Sequence, residues 1–393
     1  MVYDEDYPRM EANSNKPFFS RPPVILAVLA VVAVAGLAGV DQLVKLYRVQ
    51  IRRLGKNIYN VGLLEQQAGH LQRAVEDFRA ALNYEPDNDQ YQLSLGRALR
   101  DSNHFGEAES YLLSLWQRTP QDSTINLALA RLAARRDILE DALRYYHNAI
   151  YGVWKSNPDA NRQLASFELI ELLLQKNALQ QAQSELIGLL STLPKDPALH
   201  LRVAEMLSRA QDYNRALGEF QFVLQKDRHN AAALFGAGQA AFQLGRYRTA
   251  QIYLQGAVNA GYQSEHAAQW LQSATLILQA DPYRRGISDV ERNVRLQVAF
   301  SQAGRRLDNC TSPADADSQP PPLPTDLAPL KAKWKQMEPK VTRMDKQPES
   351  GLLDAIMDLV FQIEEEAQFR CGPPQALDQA LVTISRDPSG VDR

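Results

Sequence analysis

Cysteine is nearly missing from this chain: Cys310 and Cys371 are the only two in 393 residues. Two separated cysteines exclude a C-x-x-C metal knuckle and a dense disulfide framework. Charge of one sign is missing too. Lys and Arg number 43 against 46 Asp and Glu, a net charge of −3. That balance excludes the basic footprint of a nucleic-acid binder and an acidic solvating tail. Sustained alternation of apolar and polar residues is absent, so strands are not expected. No G-x-S-x-G, Walker loop, H-E-x-x-H or dinucleotide fingerprint occurs. The six histidines are scattered, and His70 and His104 fall in polar turns between helical phrases. The sequence therefore points away from an enzyme. No catalytic residue, cofactor, metal, nucleic acid or small-molecule substrate is expected.

What is present is a period. "LQRAVEDFRAALNYEPDN" places Ala74, Phe78, Ala81 and Pro86 in a fixed spacing. A step of 34 residues lands on Ala108, Leu112, Leu115 and Pro120, and another on Ala142, Tyr146 and Ala149. The next step is 40, to Ala182, Leu186, Leu189 and Pro194. Two further steps of 34 reach Ala216, Phe220, Val223 and then Ala250, Leu254, Ala257. A second apolar phrase precedes each anchor, with glycine in its best copies at Gly62, Gly96 and Gly238. The glycines of "GAGQAAFQLG" at 236–245 thus have the phase of a repeat helix, not of a phosphate loop. Small alanines let two helices approach, the bulky residue one turn on fills the adjacent groove, and proline ends the pair. This pattern resembles the tetratricopeptide repeat, in a membrane-anchored form of bacterial type.

The resemblance implies an all-α solenoid of about six helix-turn-helix repeats, with one N-terminal transmembrane helix and a helical C-terminal tail. The expected organisation is a disordered tail at 1–21, a transmembrane helix at 22–40 and a juxtamembrane helix at 41–54. The solenoid occupies 55–280, as 55–88, 89–122, 123–162, 163–196, 197–230, 231–264 and a half-repeat at 265–280. A helix at 281–310, a proline-rich linker at 311–328 and C-terminal helices at 329–393 follow. Within the tail, Leu352, Leu353, Ile356, Met357, Val360 and Ile363 form one apolar stripe that must be buried, most simply against the array's own end.

Val24 to Val40 is 17 residues without a charge. At 1.5 Å per residue it spans about 26 Å, the short end of what crosses a bilayer's hydrocarbon core. An uncleaved single-pass anchor is the favoured reading, and a signal peptide cut after "AVA" or "GLA" is its rival. Orientation is ambiguous. Lys45, Arg48, Arg52, Arg53 and Lys56 outnumber the basics before the span, which places the repeats in the cytoplasm. A disulfide between Cys310 and Cys371 would place them in an oxidising compartment. The non-cytoplasmic, periplasmic side is the expectation, with two free thiols as the open alternative.

Function then has to come from surfaces. In tetratricopeptide arrays the first helix of each pair lines a concave groove where partner peptides lie. Members that bind chaperones clamp a terminal carboxylate there with Lys and Asn. Tyr59, Leu63 and Ser94 stand at the corresponding positions, so that ligand class is not implied. Arg97, Arg100, Arg131 and Arg135 stand there instead, a donor set suited to carboxylates, with Glu171 and Glu205 further on. Glu364, Glu365 and Glu366 read as a solvated face, or as an internal partner for those arginines. The six extra residues of the third repeat bring Tyr151 and Trp154, an aromatic candidate for partner contact. The resulting expectation is a membrane-anchored scaffold whose solenoid binds partner proteins or peptides, with lipid contact through 22–40. A periplasmic chaperone or assembly factor, and a regulator of a separate enzyme, are the alternatives.

Overall fold

The computed structural model describes residues 22–262, 265–310, 327–344 and 350–386. The tail expected at 1–21 and nearly all of the linker expected at 311–328 lie outside them. The described chain is helical, with one isolated β-bridge, between Asp122 and Val153. It divides into two compact units, Met1–Ala165 and Ser166–Arg393.

The first unit holds α1 (Pro22–Gln67), α2 (Leu71–Tyr84), α3 (Asp89–Asp101), α4 (Phe105–Arg118), α5 (Ser123–Arg135) and α6 (Leu139–Tyr151). The boundary cuts α7 (Pro158–Gln175). The second unit continues with α8 (Leu179–Leu190), α9 (Pro197–Arg209), α10 (Tyr213–Lys226), α11 (Ala231–Gln243), α12 (Tyr247–Asn259) and α13 (Glu265–Ala280). It ends with α14 (Asp289–Asn309), α15 (Leu327–Thr342), α16 (Ser350–Arg370) and α17 (Ala376–Arg386).

α1 pairs with α2, α3 with α4, α5 with α6, α9 with α10 and α11 with α12. Every alanine and bulky anchor is buried, from Ala74, Phe78 and Ala81 to Ala250, Leu254 and Ala257, while Pro86, Pro120 and Pro194 stay exposed. Each large buried anchor removes roughly 1.5–3 kcal/mol of apolar surface from water. The bulky anchor sits where the partner helix has no side chain. A Cβ on Gly62 would meet Phe78 at 2.8 Å, and one on Gly238 would meet Leu254 at 2.6 Å.

Two local devices recur with the same period. First helices start from an Asx cap: Asn88 accepts from the Gln90 and Tyr91 amides, Asp122 from Thr124, Asp196 from Ala198 and Asn230 from Ala233. The turn inside each pair holds one left-handed residue: Gly69, Asn103, Asp137, Asn177, Gln211 and Gly245, with φ between 54° and 80°. Its backbone closes the preceding helix, as when the His104 amide donates to the Leu99 carbonyl at 2.8 Å.

The segments separated in the sequence as span, juxtamembrane helix and first repeat are one 46-residue helix, α1. No proline or cap interrupts it after Pro23, and Asp41 and Lys45 pair across one turn at 2.6 Å. The extra residues of the third repeat form a loop, 152–157, rather than a longer α6.

In the second unit, one apolar core joins Ile277 and Leu278 of α13 to α14–α17. Leu353, Ile356, Met357, Val360 and Ile363 of the expected stripe lie in it. The last array helix is thus covered by the chain's own tail, as the sealing of a repeat array requires.

Candidate functional site

The arginines of the first unit stand on α3 and α5. Arg97 is half-buried. Burial first, then the charges of Arg131 and Arg100, hold its guanidinium below its ordinary pKa. Arg100 is held by Asp101, with Nη2–Oδ1 at 2.7 Å and Nε–Oδ1 at 2.8 Å. Even so, Arg97 Nε and Arg100 Nη1 are buried without a hydrogen-bond partner. Arg97 and Arg100 thus hold two buried, unspent donors beside the charge of Arg131. Arg135 is exposed and turns toward Asn103, donating to its Oδ1 at 3.2 Å. Beside Arg97, the positions of the carboxylate clamp are filled otherwise: the Tyr59 hydroxyl and Ser94 Oγ share a buried 2.9 Å hydrogen bond.

In the acidic half of the pattern, Glu171 does not stand free. Arg209 donates twice to Glu171, at 2.7 and 2.8 Å, which ties α9 to α7. Glu205 is exposed.

The 152–157 loop folds back on the turn before α5. The Val153 amide donates to the Gln121 carbonyl at 3.0 Å, and the Ser123 amide donates to the Val153 carbonyl at 3.1 Å. A Cβ on Gly152 would come within 2.5 Å of the Asn148 carbonyl oxygen, so the crossing needs glycine. Lys155 locks the loop to Asp122 at 2.8 Å. Burial alone would raise the Asp122 pKa, but the Lys155 and Thr124 hydrogen bonds outweigh it and hold the carboxyl below its usual range. Just before this anchored loop, at the end of α6, Tyr151 is 79% exposed. Trp154 is half-buried, and its indole Nε1 is buried without an acceptor.

In the second unit Cys310 and Cys371 are joined as a disulfide, Cα atoms 4.7 Å apart. They belong to a larger arrangement that sequence reasoning missed. Along one face of α14, Gln302, Arg306 and Cys310 recur every four residues. Gln302 Nε2 donates to Asp378 Oδ1, in the first turn of α17. Arg306 donates to the carbonyls of Gly372 at 2.6 Å, Pro373 at 3.2 Å and Ala367 at 3.4 Å, closing the end of α16. Asp378 also accepts from the Gln375 amide at 2.8 Å. One helical turn earlier on α16 than Ala367 and Gln368, Glu364 is almost fully buried, both carboxylate oxygens unpartnered. Burial, then the Asp378 charge, push its pKa up to about 8 against the pull of Arg306. Glu364 is therefore a buried core group, which corrects the solvated face expected at 364–366; Glu365 and Glu366 are exposed. Its sequence neighbours hid it, because only the i, i+3, i+7 register with Val360, Ile363 and Ala367 shows which glutamate faces inward.

Between α11, α13 and α17 lies a cleft of about 320 Å³. Phe242 and Trp270 give it aromatic walls, and Ser273, Gln379 and Thr383 a polar rim.

The tetratricopeptide repeat family model matches residues 66–132 and 207–274. Among solved structures, one from a functional characterisation of Pseudomonas aeruginosa pilF is 17% identical, covering 57% of this chain and 97% of its own, with a TM-score of 0.39. A tetratricopeptide repeat protein from Parabacteroides merdae is 18% identical over 63% of this chain and 92% of its own, TM-score 0.39. PilW, a type IV pilus biogenesis factor, is 16% identical over 56% and 98%, TM-score 0.39. No curated protein matches the chain. The matched segments carry the buried anchors, the Asx caps and the left-handed turns, and the chain carries tetratricopeptide repeats.

Proposed function

We propose that this chain is a membrane-anchored scaffold that presents its tetratricopeptide repeats to an acidic segment of a partner protein on the non-cytoplasmic side. Repeat arrays of this family serve protein–protein interaction and assembly, generally without catalysis. The observation that carries the anchored reading is α1. Its 42 residues from Leu26 include a stretch of mean hydropathy 2.1, long and apolar enough to cross a membrane. The same helix, unbroken, supplies the buried Tyr59 and the close-packed Gly62 of the first repeat. The repeats are thus tethered rigidly, with about 20 Å of helix between the span and residue 55.

The Arg97–Arg100–Arg131 cluster supports a carboxylate-bearing partner, and the exposed Tyr151 offers that partner an apolar contact. The Cys310–Cys371 pair supports an exported soluble part, since cytosolic thiols stay reduced. The test is crosslinking with mass spectrometry on intact membranes, comparing the wild type with Arg97→Glu/Arg131→Glu. The expected result is a membrane-retained chain whose partner is lost in the variant, and whose cysteines resist alkylation until a reductant is added. Partner capture unchanged by the charge reversal would sink the arginine site. Two thiols that label at once would reverse the orientation.

A further inference from the structure

The exposed side of α1 carries a second pattern, independent of the 34-residue period. Val40, Val44, Tyr47, Ile51, Leu54, Ile58 and Val61 follow one another at spacings of four and three. Leu26, Ala30, Ala33 and Leu37 extend the same stripe back through the apolar span. A 3.5-residue repeat is the signature of a helix that supercoils against another helix. The first repeat uses it only in part, leaving Ile51 and Ile58 half-buried. Gly55, Tyr59 and Gly62, which pack on α2 and α3, lie on a neighbouring face. Val40, Tyr47, Leu54 and Val61 remain 58%, 67%, 45% and 48% exposed.

We infer that α1 pairs in parallel with α1 of a second copy of this chain, through a two-stranded coiled coil from about Leu37 to Val61. Three features select that occupant. Residue choice is the first: β-branched Val44, Ile51 and Ile58 occupy the a positions, and the d positions hold Val40, Tyr47, Leu54 and Val61 rather than the Ile that favours higher-order coils. Charge is the second. In a parallel pair each e residue faces a g residue of the other chain, so Arg48 faces Leu43, whereas an antiparallel pair would set e against e and bring the arginines of the two copies together. Asp41 is already matched by Lys45 of its own chain. Area is the third. Covering these side chains, with the exposed Leu43 and Leu64 on the flank, removes on the order of 1,000 Å² from water across a pair, near the lower edge of stable interfaces at about 1,200 Å². Packing along the apolar span adds to it. The seam from Val40 to Val61 runs about 32 Å. The inference goes beyond the scaffold reading and takes from it only the common direction that a bilayer imposes on two anchored copies.

The test uses the full-length chain, co-expressed in two differently tagged copies and treated in membranes with a short bismaleimide. Tyr47→Cys and Leu54→Cys occupy d positions; Val49→Cys and Lys56→Cys occupy the outward f positions. The expected result is a crosslinked species carrying both tags at residues 47 and 54, at least tenfold above residues 49 and 56 and above the wild type. Equal crosslinking at all four positions, or a product of one tag with a different protein, overturns the pairing. Should the cysteine variants accumulate poorly, sedimentation of the unsubstituted protein in mild detergent decides: two copies support the inference and one refutes it. A chain that fractionates as soluble yet still crosslinks at 47 and 54 refutes the anchor and leaves the pairing standing.

Discussion

The repeats and the C-terminal helices hide apolar surface by opposite means. In the array, one local solution is used again and again: an Asx cap, a left-handed turn residue, a small residue under a bulky anchor. Each copy needs only its neighbours, so stability is a sum of modest terms. In α14–α17 nothing recurs. Arg295 on α14 donates to the carbonyls of Leu278 at 2.7 Å and Asp281 at 3.0 Å, closing α13. Eleven residues later Arg306 closes α16. Trp334 lies flat on Phe300 and over Gly304, and its indole donates to the Phe300 carbonyl at 2.9 Å. Each contact is made once and joins residues far apart in sequence. A repeat array tolerates imperfect copies, whereas a unique cap concentrates its stability in a few groups.

The strongest way to break that contrast is to compare two arginines. Arg306→Ala leaves three helix-end carbonyls without their donor and removes the buried cation 3.9 Å from the Asp378 carboxylate. It is expected to cost the second unit about 3–5 kcal/mol, the usual loss when half of a buried charged pair is removed. Arg209→Ala in the array removes an exposed pair with Glu171 and is expected to cost about 1 kcal/mol or less. Denaturant unfolding followed by tryptophan fluorescence measures both. Equal losses would mean that the cap is no more concentrated than the repeats.

Glu364 extends the comparison to pH. Its ordinary value is 4.5 and its folded value about 8. Below pH 4.5 both states hold the proton. Between the two values the folded chain keeps a proton that the unfolded chain releases, so stability falls as pH rises and levels off above about 8. The slope approaches about 1.4 kcal/mol per pH unit, up to about 5 kcal/mol in all. Unfolding measured from pH 5 to 8 should show it, and Glu364→Gln should flatten it. A wild type without the slope would show that the carboxyl is already ionised in the fold.

Within the array, Ala108→Leu is expected to destabilise by roughly 1–3 kcal/mol. The site is fully buried where α4 crosses α3, and added methylenes force strain there. A neutral result would place α4 further from α3 than the structure does.

Repetition decides what can be read from the residues alone. Six copies of one spacing expose the anchors, because chance does not keep phase over 180 residues of chain. The same logic fails for the tail. Nothing near Arg295 and Arg306 in sequence announces the carbonyl ends they reach. Glu364 hides beside two exposed glutamates, Glu365 and Glu366. The cysteines were legible only as a possibility, both falling at helix ends. The arginine face was legible as composition, but the donors left unpaired on Arg97 and Arg100 emerge only from the packing of α3 beside α5.

The turn residues show the limit of repetition itself. Gly69, Asn103, Asp137, Asn177, Gln211 and Gly245 share one backbone conformation but four residue types, so letter-matching misses what φ reveals. Of the six, Gln211 alone is neither glycine nor Asx. At φ 63° its Cβ crowds the backbone, at a cost of roughly 1–2 kcal/mol. Gln211→Gly removes that strain but adds freedom to the unfolded chain, about 0.4–1 kcal/mol in the other direction. The expected net is a gain of less than about 1 kcal/mol, the smallest effect proposed, read as a small rise in the unfolding midpoint at unchanged m-value. Gly245→Ala should lose a similar amount, because it adds the same Cβ where none now stands. Should Gln211→Gly destabilise while Gly245→Ala is tolerated, the turns are held by their surroundings and not by the residue in them, and the array would then share the tail's dependence on distant contacts.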